Sequence, residues 1–390
     1  MDPVGFWNWR SEMRRALLLV TLCAACLVSC ARAPAYQVPE LTDDGWEVAS
    51  LDDVEMDADL LSRAVARIAN GTYENVHAVL IVKNGTLVFE RYFPGYTWAY
   101  EDARHQGDRV TFDRDIAHNL ASVTKSVTSI LVGIALDQGR IGSVDDKVFA
   151  YFPQYAHLND AETDTLALEH LLTMSSGLQW NENELPYSNS NNDLVRLFSE
   201  PDPVDYILSR PIVSEPGTEF YYGGDNTNLL GEVIRSATGH RMDAFAEDVL
   251  FGPLGIADYA WDFINDDMVH ASGNLRLRPR DMAKLGQLCL NGGEWEGRRI
   301  VSEAWITEST REHVTRSVAT GYGYQWWLRT YHLGSNSVDA FTAAGWGGQW
   351  IIVIPDLDMV VVFTGGNYVS EDPSTEILTD YILPAVHRPN

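Results

Sequence analysis

Basic residues are scarce in this sequence. The 390-residue chain sets 28 Lys plus Arg against 55 Asp plus Glu, and its formal charge of −27 would repel a phosphate backbone. Nucleic acid is therefore excluded as a main partner. Long apolar runs are almost as rare, the only one being Ala16 to Val28, which is too short for an ordinary spanning helix. Several catalytic signatures are missing outright: HExxH, a Walker-type GxxxxGK, a GxGxxG after a strand, and the GxSxG elbow. With 10 His and 4 Cys in the whole chain, little is left to build a structural zinc site, and no metal or organic cofactor is expected.

The first thirty residues read as a leader. Arg10, Arg14 and Arg15 precede the apolar run, which ends Leu27-Val28-Ser29-Cys30, the layout of a secretory signal. This ending resembles the lipobox of bacterial lipoproteins, in which cleavage before the cysteine accompanies acylation of its thiol. The resemblance implies a signal over 1–29, lipidation at Cys30, and a protein held by its lipid in the cell envelope, with Ala31 pointing to the outer membrane facing the periplasm. Cys23 and Cys26 then leave with the signal. Only Cys289 remains in the body, so no intramolecular disulfide forms.

Residues 30–45, with Pro34 and Pro39, read as a tether, and the body runs over 46–390. Val76 to Val82, Asn84-Gly85 and Thr86 to Phe93 predict a hairpin closed by a type I′ turn. A second hairpin is predicted from Trp350 to Ile354, a turn at Pro355-Asp356, and Met359 to Phe363. Their strands are nearly all apolar, as central strands covered on both faces are. Between the hairpins helical periodicity dominates, including Val123 to Asp137, Asn226 to Thr238 and Pro279 to Asn291, and Pro373 to Val386 reads as a closing helix. This order predicts an α+β fold: a mostly antiparallel sheet built from both ends of the chain, flanked by helices, with a helical insertion over about 145–275.

Within that frame one tetrapeptide carries chemistry, Ser122-Val123-Thr124-Lys125. At the start of a helix, Ser and Lys at i and i+3 share a face, so the ammonium can reach the hydroxyl. The helix N-terminus favours negative charge developing on the serine oxygen. Burial of the lysine there would lower its proton affinity, as a general base requires. A serine three residues before a lysine is by itself a weak signal. Its weight comes from the setting, Asn119 to Val127, and from two later segments in the right order.

Taken together these segments resemble the serine β-lactamase and penicillin-binding superfamily, in its class C-like branch of esterases and 6-aminohexanoate-dimer hydrolases. The resemblance runs from about Val76 to the C-terminus. It implies that Ser122 is the nucleophile and Lys125 its assistant. Leu168 to Leu178 (LEHLLTMSSGL) looks like the helix and loop between the family's first two motifs, with His170 a packing or hydrogen-bonding residue. The second motif, YxN before an LLG helix, falls on Tyr222, Gly223 and Gly224, with Tyr221 as the competing tyrosine. A phenol there can both accept and donate a proton. Gly224 stands where asparagine is usual, which favours the esterase and dimer-hydrolase side.

The third motif, KTG or HxG elsewhere, here reads Gly345-Trp346-Gly347-Gly348-Gln349 and contains no cation. It resembles the WGG form of some class C-like esterases, placing Trp346, Gly347 and Gly348 against the substrate. The backbone N–H groups of Ser122 and Gln349 are expected to form the oxyanion hole. Ser272-Gly273-Asn274-Leu275 resembles the family's SGGGL loop, with Asn274 either offering its amide to the cleft or simply forming a turn. Trp180 and Tyr187 sit on a polar loop that could cover the cleft.

The expectation is a serine hydrolase that cleaves a small-molecule ester or amide through an acyl-enzyme on Ser122, with Lys125 and Tyr222 moving the proton. It meets the membrane through its lipid alone, and nothing in the sequence fixes its oligomeric state. A D-Ala-D-Ala carboxypeptidase or β-lactamase is disfavoured by Gly224 and the missing third-motif cation. A non-catalytic binding or structural envelope protein is disfavoured by the intact Ser122, Lys125 and Tyr222.

Overall fold

A computed structural model describes residues 36–100, 102–333 and 336–386. The predicted leader and Cys30 lie outside the described residues. The main sheet has eight strands: β1 (Val76–Lys83), β2 (Thr86–Tyr92), β3 (Val314–Ser317), β4 (Thr320–Tyr322), β5 (Trp327–Leu333), β6 (Asn336–Gly345), β7 (Gln349–Ile354) and β8 (Met359–Gly365). Their spatial order is β3-β4-β5-β6-β7-β8-β1-β2, antiparallel throughout. The N-terminal hairpin thus pairs with the last strand, Leu80 opposite Val362 and Ile81 opposite Val361. Asn84 and Gly85 close that hairpin with φ of 52° and 75°, the left-handed pair a type I′ turn demands.

Period-two alternation sends the side chains of β1 into two cores. Ala78, Leu80 and Val82 join the core that also holds α2 (Val123–Asp137) and α4 (Pro279–Leu290). Val79 and Ile81 face the other, with α1 (Ala58–Ala69) and the C-terminal helical segment from Ser374 to Ala385. The sheet is therefore covered on both faces, which explains why β1, β7 and β8 are apolar almost without interruption. Short helices and 3₁₀ turns fill the stretch from Val148 to Phe251, with α3 (Gly224–Thr238) packed against α2. α3 begins two residues earlier than its apolar pattern suggests, because Gly224 and Asp225 continue the helix without contributing to the stripe.

Residues 36–45 do not behave as the free tether expected for them. The Tyr36 hydroxyl donates to Val88 O at 2.8 Å, and its ring lies parallel to Phe89. The buried Arg280 guanidinium grips Glu90 through two bonds of 2.9 and 2.6 Å, Asp44 at 2.9 Å, Thr42 at 2.8 Å and the Glu40 carbonyl at 2.9 Å. A buried cation needs such partners, and here they tie the entering segment to β2 and α4.

Candidate active site

The nucleophile position is built by a turn. The two-residue strand His118–Asn119 pairs with Leu275–Leu277, and Leu120 N donates to Leu275 O at 2.8 Å. Ala121 then adopts φ 45°, a left-handed conformation that costs a residue with a Cβ. Two bonds hold it there: Ala121 N to Asn119 Oδ1 at 2.9 Å, and Thr124 Oγ1 to Ala121 O at 2.7 Å. Ser122 follows as the N-cap of α2, its hydroxyl free of capping duty and aimed at Lys125.

Lys125 lies one turn on and is 3% exposed. Its Nζ is 3.1 Å from Ser122 Oγ and donates to Ser272 O at 2.8 Å. No carboxylate pairs with it among the described residues. The ammonium also sits 5.0 Å from the centre of the Tyr222 ring. Tyr222 packs against Trp327 and Tyr322, and its hydroxyl makes no hydrogen bond among the described residues. The adjacent Tyr221 is committed elsewhere. Its hydroxyl donates to Glu184 at 2.8 Å and accepts the amides of Glu182 at 3.1 Å and Asn183 at 3.3 Å. Geometry thus brings Ser122, Lys125 and Tyr222 together and leaves Tyr221 in the neighbouring loop.

Ser122 and Lys125 open on a cleft of about 610 Å³, with the Tyr222 ring behind Lys125 and not among the lining residues. Its walls are largely aromatic and apolar, with Trp98, Tyr187, Phe198, Trp346 and Tyr368 prominent among them. Asn274 lines it in a left-handed conformation, φ 61°. Its Oδ1 accepts from Asn119 at 3.1 Å, so the amide nitrogen is the end left for a ligand. Tyr187 reaches the cleft, whereas Trp180 is buried beneath it against Tyr206. His170 lies outside the cleft and accepts from Ala167 N at 3.2 Å, capping its own helix.

The third motif differs in detail from the expectation. Trp346 is 38% exposed and lines the cleft, but Gly347, Gly348 and Gln349 are buried and do not. Gln349 opens β7 opposite Gly345, and its amide locks onto Gly365 of β8, Nε2 to O at 2.6 Å. Gly347 and Gly348 have φ of 87° and 88°, and a Cβ on Gly347 would fall 2.2 Å from the Tyr368 ring. They shape the turn rather than touch a ligand. The residue that abuts the nucleophile segment is Gly345, whose Cβ would lie 2.2 Å from Leu120 O. These contacts bring the end of β6 against the segment that carries Ser122, with the Gln349 amide three residues beyond Trp346 at the start of β7.

Sequence reasoning passed over several cleft residues. Trp98 comes from the hairpin of Pro94–Trp98 and Gln106–Thr111 and meets Trp346 and Tyr368 edge-on at 5.4 and 4.5 Å. Arg276 lines the cleft as well, held by Asp262 through two bonds of 2.6 and 2.9 Å. Both it and Asn274 flank Leu275 of the short strand, so the period-two rule could have found it. His270 is buried with neither ring nitrogen partnered, and burial, then the nearby Lys125 charge, drives its pKa down to about 3. Glu182 had no signal at all, being one acidic residue in a polar loop.

The beta-lactamase family model matches residues 74–376. The chain belongs to the beta-lactamase family. The 6-aminohexanoate-dimer hydrolase of Paenarthrobacter ureafaciens is 27% identical over 273 residues, 65% of this chain and 67% of that one. The lovastatin esterase of Penicillium rubens is 27% identical over 194 residues, 45% of this chain and 46% of the esterase, so the chain spans about half that relative's length. A family VIII carboxylesterase shares the fold, with a TM-score of 0.65 at 18% identity over 89% of this chain and 100% of that one. Within the family the chain is placed among serine hydrolases.

Proposed function

We propose that the protein hydrolyses a small ester or amide with an apolar or aromatic portion, through an acyl-enzyme on Ser122. The observation that carries the reading is the 3.1 Å approach of Lys125 Nζ to Ser122 Oγ at a helix start on the floor of an aromatic cleft. Lys125, in its neutral form, takes the serine proton as the Ser122 oxygen bonds to the carbonyl carbon. Tyr222 passes a proton to the leaving group, and the same pair activates the water that releases the acid. The backbone amides of Ser122 and Gln349 hold the oxyanion. Apart from Lys125 at the nucleophile, the cation among the described cleft-lining residues is Arg276, and its guanidinium is already forked onto Asp262. The test is the intact mass after a fluorophosphonate probe. Wild type gains one adduct and Ser122→Ala none, at an unchanged thermal midpoint; an adduct on Ser122→Ala would reassign the nucleophile.

We further propose that Cys30 carries the lipid and that the enzyme works at the envelope surface facing the periplasm. The support is the Arg10 to Cys30 pattern alone. Parent protein should enter the detergent phase on Triton X-114 partition and Cys30→Ser the aqueous phase; equal partition would sink the proposal.

A further inference from the structure

Gly224 stands where the second motif usually has asparagine, and the space beside it is taken. A Cβ on Gly224 would lie 2.9 Å from Ser272 Oγ, 3.0 Å from Leu194 Cδ1 and 3.2 Å from Glu182 Oε2. Glu182 arrives from the loop after Trp180 and is 4% exposed. Three donors converge on its carboxylate. Gly224 N reaches Oε2 at 2.6 Å, Trp180 Nε1 the same oxygen at 2.9 Å, and the Tyr187 hydroxyl Oε1 at 3.1 Å. Gly224 is the first residue of α3, so the carboxylate also sits at a helix N-terminus, where negative charge is favoured.

Two features point from this arrangement to a ligand. First, Glu182 lines the cleft with Ser122 and Lys125 yet pairs with no Lys, Arg or His among the described residues. A buried carboxylate without a counter-charge is costly, and a carboxylate has about four acceptor sites, of which three are filled. Second, Ser272 Oγ and both nitrogens of His270, which also line the cleft, are buried without partners. They are polar atoms waiting for a polar group.

Resting on the serine hydrolase reading, we propose that Glu182 fills the place of the missing asparagine and reverses the polarity of that subsite. An asparagine amide can donate to a substrate carbonyl; a carboxylate only accepts. The substrate group seated against the Glu182 loop is therefore a hydrogen-bond donor, foremost a primary ammonium on the acyl chain. An anionic group is rejected there.

The test is a matched set of p-nitrophenyl esters of one chain length ending in ammonium, methyl or carboxylate, run on the full chain. Wild type should favour ammonium over methyl in kcat/KM by about tenfold or more, the range of a hydrogen bond to a charged group, with the carboxylate ester last. Glu182→Gln keeps an acceptor for Gly224 N, and the ammonium-to-methyl ratio should fall towards one whatever the absolute rate. Glu182→Ala with Gly224→Asn restores the usual motif and should also lose the ratio. A wild type that labels with fluorophosphonate at Ser122 but shows no ammonium preference would overturn the Glu182 proposal alone. So would a preference that survives in Glu182→Gln. Failure to label would instead remove the hydrolase reading beneath it.

Discussion

Lys125 is surrounded by neutral partners: a hydroxyl, a carbonyl and the face of a phenol ring. Lys125→Arg preserves the charge, but guanidinium does not deprotonate in proteins, so this variant should be nearly as inactive as Lys125→Ala. Tyr222→Phe keeps the packing against Trp327 and removes only the proton, and should lower kcat by roughly 10²–10⁴. Because the two residues act as a unit, the double variant should lose little beyond the worse single one. Tyr221→Phe breaks bonds to the Glu182 loop instead, so its effect belongs in KM. Steady-state kinetics of the five variants decide the matter; an active Lys125→Arg would end the base assignment.

Elements with a local signature were legible in the sequence, and those defined by distant partners were not. The hairpin of β1 and β2 announces itself because Asn-Gly supplies two left-handed residues between β-rich runs. β7 and β8 do so through unbroken apolar runs, and α2 through its stripe and the stop at Gly139, whose φ is 65°. By contrast, β5 (WLRTYHL) is mixed and half-buried, and its strand character comes from pairing with β6. The α1 stripe of Leu61, Ala64, Val65 and Ile68 after the Asp57 cap was readable by the same rules and was passed over. In the site, Ser122 and Lys125 are three residues apart and could be read together. Glu182 and Gly224 are joined by a contact across 42 positions that no local rule reveals.

The hairpin of Pro94–Trp98 and Gln106–Thr111 is the element that carries Trp98 to the wall of the cleft. It joins the third-motif turn through the edge contacts of Trp98 with Trp346 and Tyr368, and the Glu182 loop through Tyr100 Oη, which donates to Tyr187 O at 3.0 Å. Aromatic pairs of this kind contribute about 0.5–1.5 kcal/mol each beyond the area they bury. Trp98→Ala should therefore raise KM for esters with an aromatic or long acyl group by about three- to tenfold, with kcat and acetyl-ester hydrolysis little changed. A loss of kcat alone would show that the hairpin acts on the chemistry and not on binding.

For the molecule as a whole, buried titratable groups set opposing dependences on pH. His77, His118 and His270 are each driven down to about 3, chiefly by burial. Unfolded histidine titrates near 6.5, so the unfolded chain binds more protons between these values. The stability contributed by keeping these rings neutral is full above about 6.5 and is lost as pH falls towards 3. Asp225 and Glu232 behave in the opposite sense, with burial pushing each carboxyl up to about 7. Their contribution is present below the unfolded carboxyl value of about 4 and is lost as pH rises through 7. Each group gives a slope of about 1.4 kcal/mol per pH unit in its window. Three histidines outweigh two carboxyls below about pH 6.5, so the stability these five groups contribute falls as the solution is made more acid than that. His77 isolates one of the three, because neither ring nitrogen has a partner and its ring stacks on Phe112 at 4.0 Å. His77→Leu should flatten the fall in unfolding free energy from pH 6.5 to 4.5 by about one proton. Asp225→Asn removes a group of opposite sign and should steepen the same limb by about as much. Urea titrations across that range read both slopes; parallel changes in the two variants would show that burial of these groups does not govern the molecule's acid sensitivity.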